Sequence, residues 1–310
     1  MATTVEKIAP VVLARGPESL WRQALGAFLK QRSAIIGVCM LVFVIVIALL
    51  ASLIAPYNPV QVLIGVEDVQ KRQPPCIHLL GCAVDKPQHI MGTDGNVRDE
   101  FSRIIYGARV SLYIGFVTVG VAILIGILLG SIAGYAGGRL DNLIMRTLDV
   151  LLAFPSLLLA IAIVSVLGPG LINSMLAIAI VSIPAYARVM RASVLSAKEE
   201  EYIQAARVTG VSPFWILFRH IMPNAISPLI VQGTLGIGTA ILDTAALSFL
   251  GLGAQPPTPE WGSMLSAERN QVFTAPFLVF FPGLAIMLNV LSFNLIGDGL
   301  RDALDPRLRK

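Results

Sequence analysis

The residues able to do chemistry are few in this chain and lie far apart. Its three histidines are His78, His89 and His220, and its three cysteines are Cys39, Cys76 and Cys82. Cys76 and Cys82 share the short stretch PPCIHLLGC, and in an oxidising compartment a disulfide between them is chemically allowed. His78 and His89 lie near these cysteines, but the spacing matches no established ligand pattern, so no metal site is expected. Asp243 is the one acid set inside a long apolar run. It stands about eight residues before Gly251, roughly 12 Å below the outer end of a helix. A carboxylate at that depth is costly unless it is paired or faces water. It therefore reads either as a group that attracts an ammonium or as a hydrogen-bond partner of a neighbouring helix. Asn289 and Asn294 are further candidates for a polar pathway wall. No GxxxxGK[ST] phosphate loop and no nucleophile–base pair is present, so the chain is expected neither to bind nor to hydrolyse ATP.

The elements that must position these residues are membrane spans. The chain has 310 residues, 55% of them hydrophobic and 14% charged, with a mean hydropathy of +0.77. A soluble domain carries about 25% charged residues, and a helix needs about 20 apolar residues to cross a bilayer. The expectation is an all-α polytopic membrane protein with six transmembrane helices. They are placed at Ala34–Ala55, Val110–Gly134, 150–167, 171–190, Asn224–Leu250 and Thr274–Gly297, with Gly168-Pro169-Gly170 breaking one long apolar run into a hairpin. The first apolar run is a full span without a small-residue cleavage site, so no cleavable leader is expected. Residues 1–33 are read as a cytoplasmic segment whose Ser19–Lys30 stretch is either a helix on the membrane surface or a plain positive flank of the first span. Residues 56–108 are read as an external segment, 109–300 as a core with five transmembrane helices and a cytoplasmic loop at 191–222, and 301–310 as a cytoplasmic tail. Gly126, Gly130 and Gly134 recur every four residues and give one smooth face for close helix packing. Pro155, Pro184, Pro228 and Pro282 are expected to interrupt helices. Arg139–Arg146 reads as a short basic loop, and Cys39 as a small hydrophobe packed within its span.

Charge sets the orientation. With both termini inside, the inner segments hold sixteen of the 23 Lys and Arg residues, as the positive-inside rule requires. The net charge of +4 is explained by these loops, and nucleic acid is not an expected partner.

The same count puts Glu201–Pro223 in the cytoplasm. The acids Glu199, Glu200 and Glu201 suit a helix N-terminus. The helix runs through Gln204, Ala205 and Ala206 and stops at Gly210, a natural left-handed C-cap. Ser212 and Pro213 read as the N-cap and first residue of a second helix. The spacing of Gln204, Ala205, Ala206, Gly210, Met222 and Pro223 resembles the Glu-Ala-Ala loop of ATP-binding-cassette (ABC) importer permeases. Gln204, His220 and Met222 depart from the family's Glu, Ile and Leu. The stretch Gly92-Thr93-Asp94-Gly95-Asn96-Val97-Arg98-Asp99 resembles a motif of the peptide-type permeases, with Val97 in place of Gly. Ala245–Gly262 and Asn294–Pro306 resemble the external loop and C-terminal tail of dipeptide and glutathione permease subunits. On these residues the chain is identified as a member of the C-type inner-membrane subunits of peptide ABC importers.

That resemblance implies a type I ABC importer permease fold in a bacterial inner membrane. It implies import of dipeptides or short oligopeptides, with glutathione or a nickel chelate as the alternative cargo. The partners implied are a homologous permease subunit forming a heterodimer, two cytoplasmic subunits that bind ATP and Mg, an external peptide-binding protein, and the lipid bilayer. Glu201, Gln204, Ala205, Ala206, Gly210 and Pro223 would couple to the ATPase. Asp94, Arg98 and Asp99 would fold a compact external cap by mutual pairing, ordering the entrance to the second span or helping to receive the binding protein. An autonomous ion-coupled transporter would show several intramembrane charges and inverted repeats, whereas one acid and no repeat are evident. An intramembrane enzyme would need a catalytic constellation inside the spans, and all three histidines fall outside them.

Overall fold

The computed structural model describes residues 25–304. The expected surface helix over Ser19–Lys30 and the tail 301–310 lie partly outside these residues. Among the described residues the regular elements are helices, joined by isolated bridges in the external segment.

Helix α1, Arg32–Leu49, is apolar around its whole circumference and presents Ala34, Gly37, Val44 and Ala48 to the protein. A Cβ on Gly37 would lie 2.8 Å from Cβ of Leu295, so the glycine sets how closely α1 and the last helix approach. Cys39 is exposed instead of packed. At about 100° per residue it sits roughly 200° around the helix from Gly37, which turns it away from the core.

Helix α2, Glu100–Ala136, has 37 residues and is about 55 Å long, well beyond a hydrocarbon layer of about 30 Å. It begins ten residues before the expected start at Val110 because Asp99 caps it, accepting a hydrogen bond from the Ser102 amide. Its first three turns therefore stand outside the span.

The segment expected as a basic loop is helix α3, Gly138–Leu152. Its charges do not interrupt the helix, because Asp141 and Asp149 pair with Arg191 and Arg188 of a later helix while Arg139 and Arg146 face outward. The chain then turns at Ala153–Pro155. Helix α4, Ser156–Leu167, follows at 88° to α3. With 12 residues it is about 18 Å long, so the expected span at 150–167 is a bent pair of helices.

Helix α5, Leu171–Lys198, starts after the Gly168-Pro169-Gly170 break. It packs lengthwise on α2 through the predicted glycine face. A Cβ on Gly126 would lie 2.6 Å from Tyr186 Cβ, one on Gly130 would overlap the Ala187 carbonyl, and one on Gly134 would lie 3.0 Å from Arg191 O. After the loop that follows α5, helix α7 spans Ser227–Phe249. A short helix, α8, covers Trp261–Glu268, and α9 runs Phe277–Leu304. Five of these helices are long and apolar enough to cross a membrane, and counting the bent α3–α4 pair as one broken span would bring the number to six. Of the four prolines expected to break helices, Pro155 precedes α4 and Pro228 lies in the first turn of α7. Pro184 and Pro282 sit inside the continuous helices α5 and α9.

Candidate functional site

The loop between α5 and α7 is a built structure. Helix α6, Glu201–Val208, places exposed Glu201 in its first turn. It ends in a Schellman motif: Gly210 takes φ +80°, its amide donates to Arg207 O, and the Val211 amide donates to Ala206 O, each at 3.1 Å. This is the arrangement a left-handed C′ residue allows. Ser212 is extended and Pro213 opens the next turn, after which the backbone widens to π-helical bonding over Ile216–Ile221.

That course sorts the side chains into two sets. Ile203, Ile216, Leu217 and Ile221 are buried and join the core formed with Val194 of α5. Gln204, Ala205, Val208, Phe214, Trp215 and Phe218 are exposed, Val208 at 88%. The Phe214 and Phe218 rings pack at 4.5 Å between centroids with their planes tilted by 39°, and Trp215 is edge-on to Phe214 at 6.1 Å. Gln204 donates from Nε2 to the Lys198 carbonyl at 3.2 Å, closing the end of α5, which a glutamate could not do. On the other side, Asn224 Nδ2 donates to the Tyr202 hydroxyl at 3.0 Å and to His220 O at 3.2 Å. Pro223 is exposed beside it. The loop thus presents an apolar, aromatic surface, is tied to the end of α5 through Gln204, and is closed on itself by Asn224 just before α7.

The segment between α1 and α2 forms a second polar constellation. Cys76 and Cys82 are joined as a disulfide, with Cα atoms 5.4 Å apart. Asp94 binds Arg98 through Nε and Nη2, both at 2.7 Å, and also accepts from the Arg98 and Asn96 amides. Asp99 does not join that pair. It accepts from the Ser102 amide at 2.8 Å and hydroxyl at 2.7 Å, and its other oxygen lies 2.8 Å from Nδ1 of fully buried His89. The His89 ring stacks on Tyr57 at 5.0 Å. Burial, together with the Glu67 carboxylate 3.3 Å away, pushes the Tyr57 hydroxyl up to about 12. Val97 occupies the position where glycine was expected and still adopts φ +57°, so the turn is kept at a cost of about 1–2 kcal/mol of backbone strain.

Sequence reasoning missed the residues that fasten this cap to the loop before α9. Glu268 binds Arg72 Nε and the Gly95 amide, both at 2.8 Å. Arg103 donates to the Pro59 and Pro257 carbonyls. Glu260 caps α8 by accepting from the Gly262 and Ser263 amides at 2.8 Å, and burial nevertheless pushes its carboxyl up. The Arg72–Glu268 pair spans 196 positions and has no local signal. Asp99 carries the most, being both helix cap and partner of a buried imidazole. Its replacement in Asp99→Ala should lower stability by about 3 kcal/mol, from a lost cap and an orphaned buried group. Denaturant unfolding of the solubilised protein measures this, and an unchanged midpoint would remove Asp99 from that role.

Inside the membrane, Asp243 is half-buried on α7 and makes no hydrogen bond or ion pair with any described residue. It lies two positions beyond Ile241, which packs into the core with Ala245, so its side chain points roughly 160–200° away from that contact face. Asn294 is exposed. Asn289, expected at a pathway wall, is instead fully buried, and neither its Nδ2 nor its Oδ1 has a partner among the described residues. Its position on α9, five residues before Asn294, turns it inward rather than along the same face.

Residues 126–310 match the family of binding-protein-dependent transport system inner membrane components. Residues 19–75 match the N-terminal transmembrane domain of oligopeptide transport permease C. The chain is 49% identical to a dipeptide transport system permease protein of Alkalihalophilus pseudofirmus, covering 94% of this chain and 91% of that one. It is 46% identical to a di/tripeptide transport system permease protein of Pseudomonas aeruginosa, covering 91% of each. It is 44% identical to a glutathione transport system permease protein of Pectobacterium atrosepticum, covering 97% and 95%. Its fold is similar to a chain of the inward-facing MetNI methionine ABC transporter, with a TM-score of 0.53 at 19% identity, over 66% of this chain and 97% of that one.

Proposed function

This chain belongs to the family of binding-protein-dependent transport system inner membrane components, and we propose that it is one transmembrane subunit of an ATP-driven importer for dipeptides or short oligopeptides. The relatives named for dipeptides and di/tripeptides support the peptide cargo. The relative named for glutathione, itself a peptide, keeps that cargo as the second reading.

The observation that carries the coupling role is the two-sided build of the loop. Ile203 and Ile221 lock it into the core, while Ala205, Val208 and Phe214 stand free. A partner seated on the free side moves α6, and α6 moves α5 through Gln204 and, through Asn224, the short turn Met222–Ala225 that leads into α7. Two cytoplasmic ATP-binding subunits, holding ATP and Mg, supply that motion. A homologous permease completes the pathway, and an external peptide-binding protein delivers cargo to the cap. This chain contributes no catalytic group. It lies in a bacterial inner membrane with both termini in the cytoplasm, in keeping with its Lys and Arg distribution. Closure of the ATPases switches the pathway between outward and inward access. Asp243, on a face of α7 free of described partners, attracts the peptide ammonium.

The test is ATP-dependent uptake of labelled dipeptide into proteoliposomes holding the whole complex. Asp243→Asn should raise the KM about tenfold, the loss of one hydrogen bond to a charged group. Uptake of glutathione or a nickel chelate with none of dipeptide would replace the peptide reading.

A further inference from the structure

Helix α3 carries three stripes, each defined by a pair of residues seven positions apart. Asp141 and Leu148 are buried against the protein. Leu143 and Val150 are 65% and 61% exposed, with Leu140 beside them. Arg139 and Arg146 are exposed and form no ion pair with any described residue. At about 100° per residue the arginine stripe adjoins the exposed apolar stripe and lies opposite the buried one.

The ion pairs fix where this helix sits. Arg191 holds Asp141 through Nε and Nη2, both at 2.6 Å, and Arg188 holds Asp149 at 2.5 Å. Arg188 and Arg191 lie 17 and 20 residues along α5 from Leu171, about 26 and 30 Å from its start. That start is at the end of α5 away from α6, the external side in the proposed orientation, where the Gly170 amide donates to Leu252 O at 3.0 Å. A hydrocarbon layer of about 30 Å therefore ends at the level of α3, on the side that carries α6. The pairs also fix its direction. Asp141 and Asp149 are about 12 Å apart along α3, while their arginines are about 4.5 Å apart along α5. With the 88° bend to α4, α3 runs nearly in the membrane plane.

We propose that α3 is an interfacial lipid-binding helix: Leu140, Leu143 and Val150 enter the inner-leaflet acyl layer while Arg139 and Arg146 hold the phosphates of anionic headgroups. Exposed leucines at this level would be unfavourable in water. Two arginines on their rim, without acidic partners, suit a negatively charged surface. The ion pairs to α5 make the helix a rigid arm, so bound lipid bears directly on the spans.

Two measurements on the assembled complex test this. A nitroxide at Leu143→Cys, in a Cys39→Ser background within proteoliposomes, should be more accessible to oxygen than to a water-soluble nickel chelate. Protection from both would mean that protein covers this face, and the reverse order would put it in water. Either result overturns the proposal. Native mass spectrometry should show preferential retention of phosphatidylglycerol over phosphatidylcholine. Arg139→Gln with Arg146→Gln should reduce that preference about 30-fold, roughly fivefold for each charge. A preference absent from the parent protein, or unchanged in the double variant, also overturns it. Both arginines are exposed and outside the described ion pairs, so the variant should fold normally.

Discussion

Gly210→Asp should abolish transport while leaving the complex assembled. Gly210 holds φ +80°, and a Cβ added there meets nothing within 4 Å of the chain itself. Aspartate is among the residues that adopt the left-handed region most readily, at about 1–2 kcal/mol, so the Schellman turn survives. What the new carboxylate meets is whatever covers the loop. It brings charge to the edge of the surface formed by Val208, Phe214 and Phe218, where an interface core tolerates charge poorly. Uptake should fall by more than tenfold, equivalent to at least about 1.4 kcal/mol of lost coupling, with the amount of complex unchanged. Gly210→Asn, of nearly the same shape and without charge, should retain most of the activity. Equal uptake by wild type and Gly210→Asp would remove the coupling role from this loop.

Gly130→Val should fail earlier, at folding. The added Cβ would overlap the Ala187 carbonyl and lie 2.8 Å from Met190 Cβ. The first of these is main chain in mid-helix and cannot swing aside, so α2 and α5 must separate. Separation also loosens the contacts at Gly126 and Gly134 on the same face. Overpacking costs about 1–3 kcal/mol, and this site belongs at the upper end. The solubilised variant should show a lower unfolding temperature and a smaller monodisperse fraction. Gly120→Val is the control, since a Cβ at Gly120 has no neighbour within 4 Å and should change little. Matching stability of the two variants would show that the α2–α5 contact tolerates a wider spacing.

The features legible in the sequence were local in their causes. Gly210 stops α6 because its left-handed turn is set by the residue itself, and Ser212-Pro213 starts the next turn for the same reason. The glycine face of α2 followed from a repeat of four. The failures were long-range or two-sided. Asp141 and Asp149 looked like loop charges because their partners, Arg191 and Arg188, lie 50 and 39 positions away. Asp94, Arg98 and Asp99 read as one cluster, yet Asp99 turns to His89 and the start of α2. Asn289 and Asn294 both looked like wall residues because periodicity does not say which face of a span meets protein. Cys39 was misplaced for that reason too. Val97 shows the opposite limit, since the fold takes a left-handed turn that its side chain disfavours.

The central claim is that an ATP-binding subunit sits on the exposed side of α6. A photoreactive p-benzoylphenylalanine in place of Ala205, within the assembled importer, tests it most directly. Ala205 is exposed, so a larger side chain there can point away from the core. Illumination should give a cross-link to the ATP-binding subunit, with a yield that changes when nucleotide is added. An intact complex that yields no such product, or links Ala205 only to lipid or to the partner permease, would contradict the account.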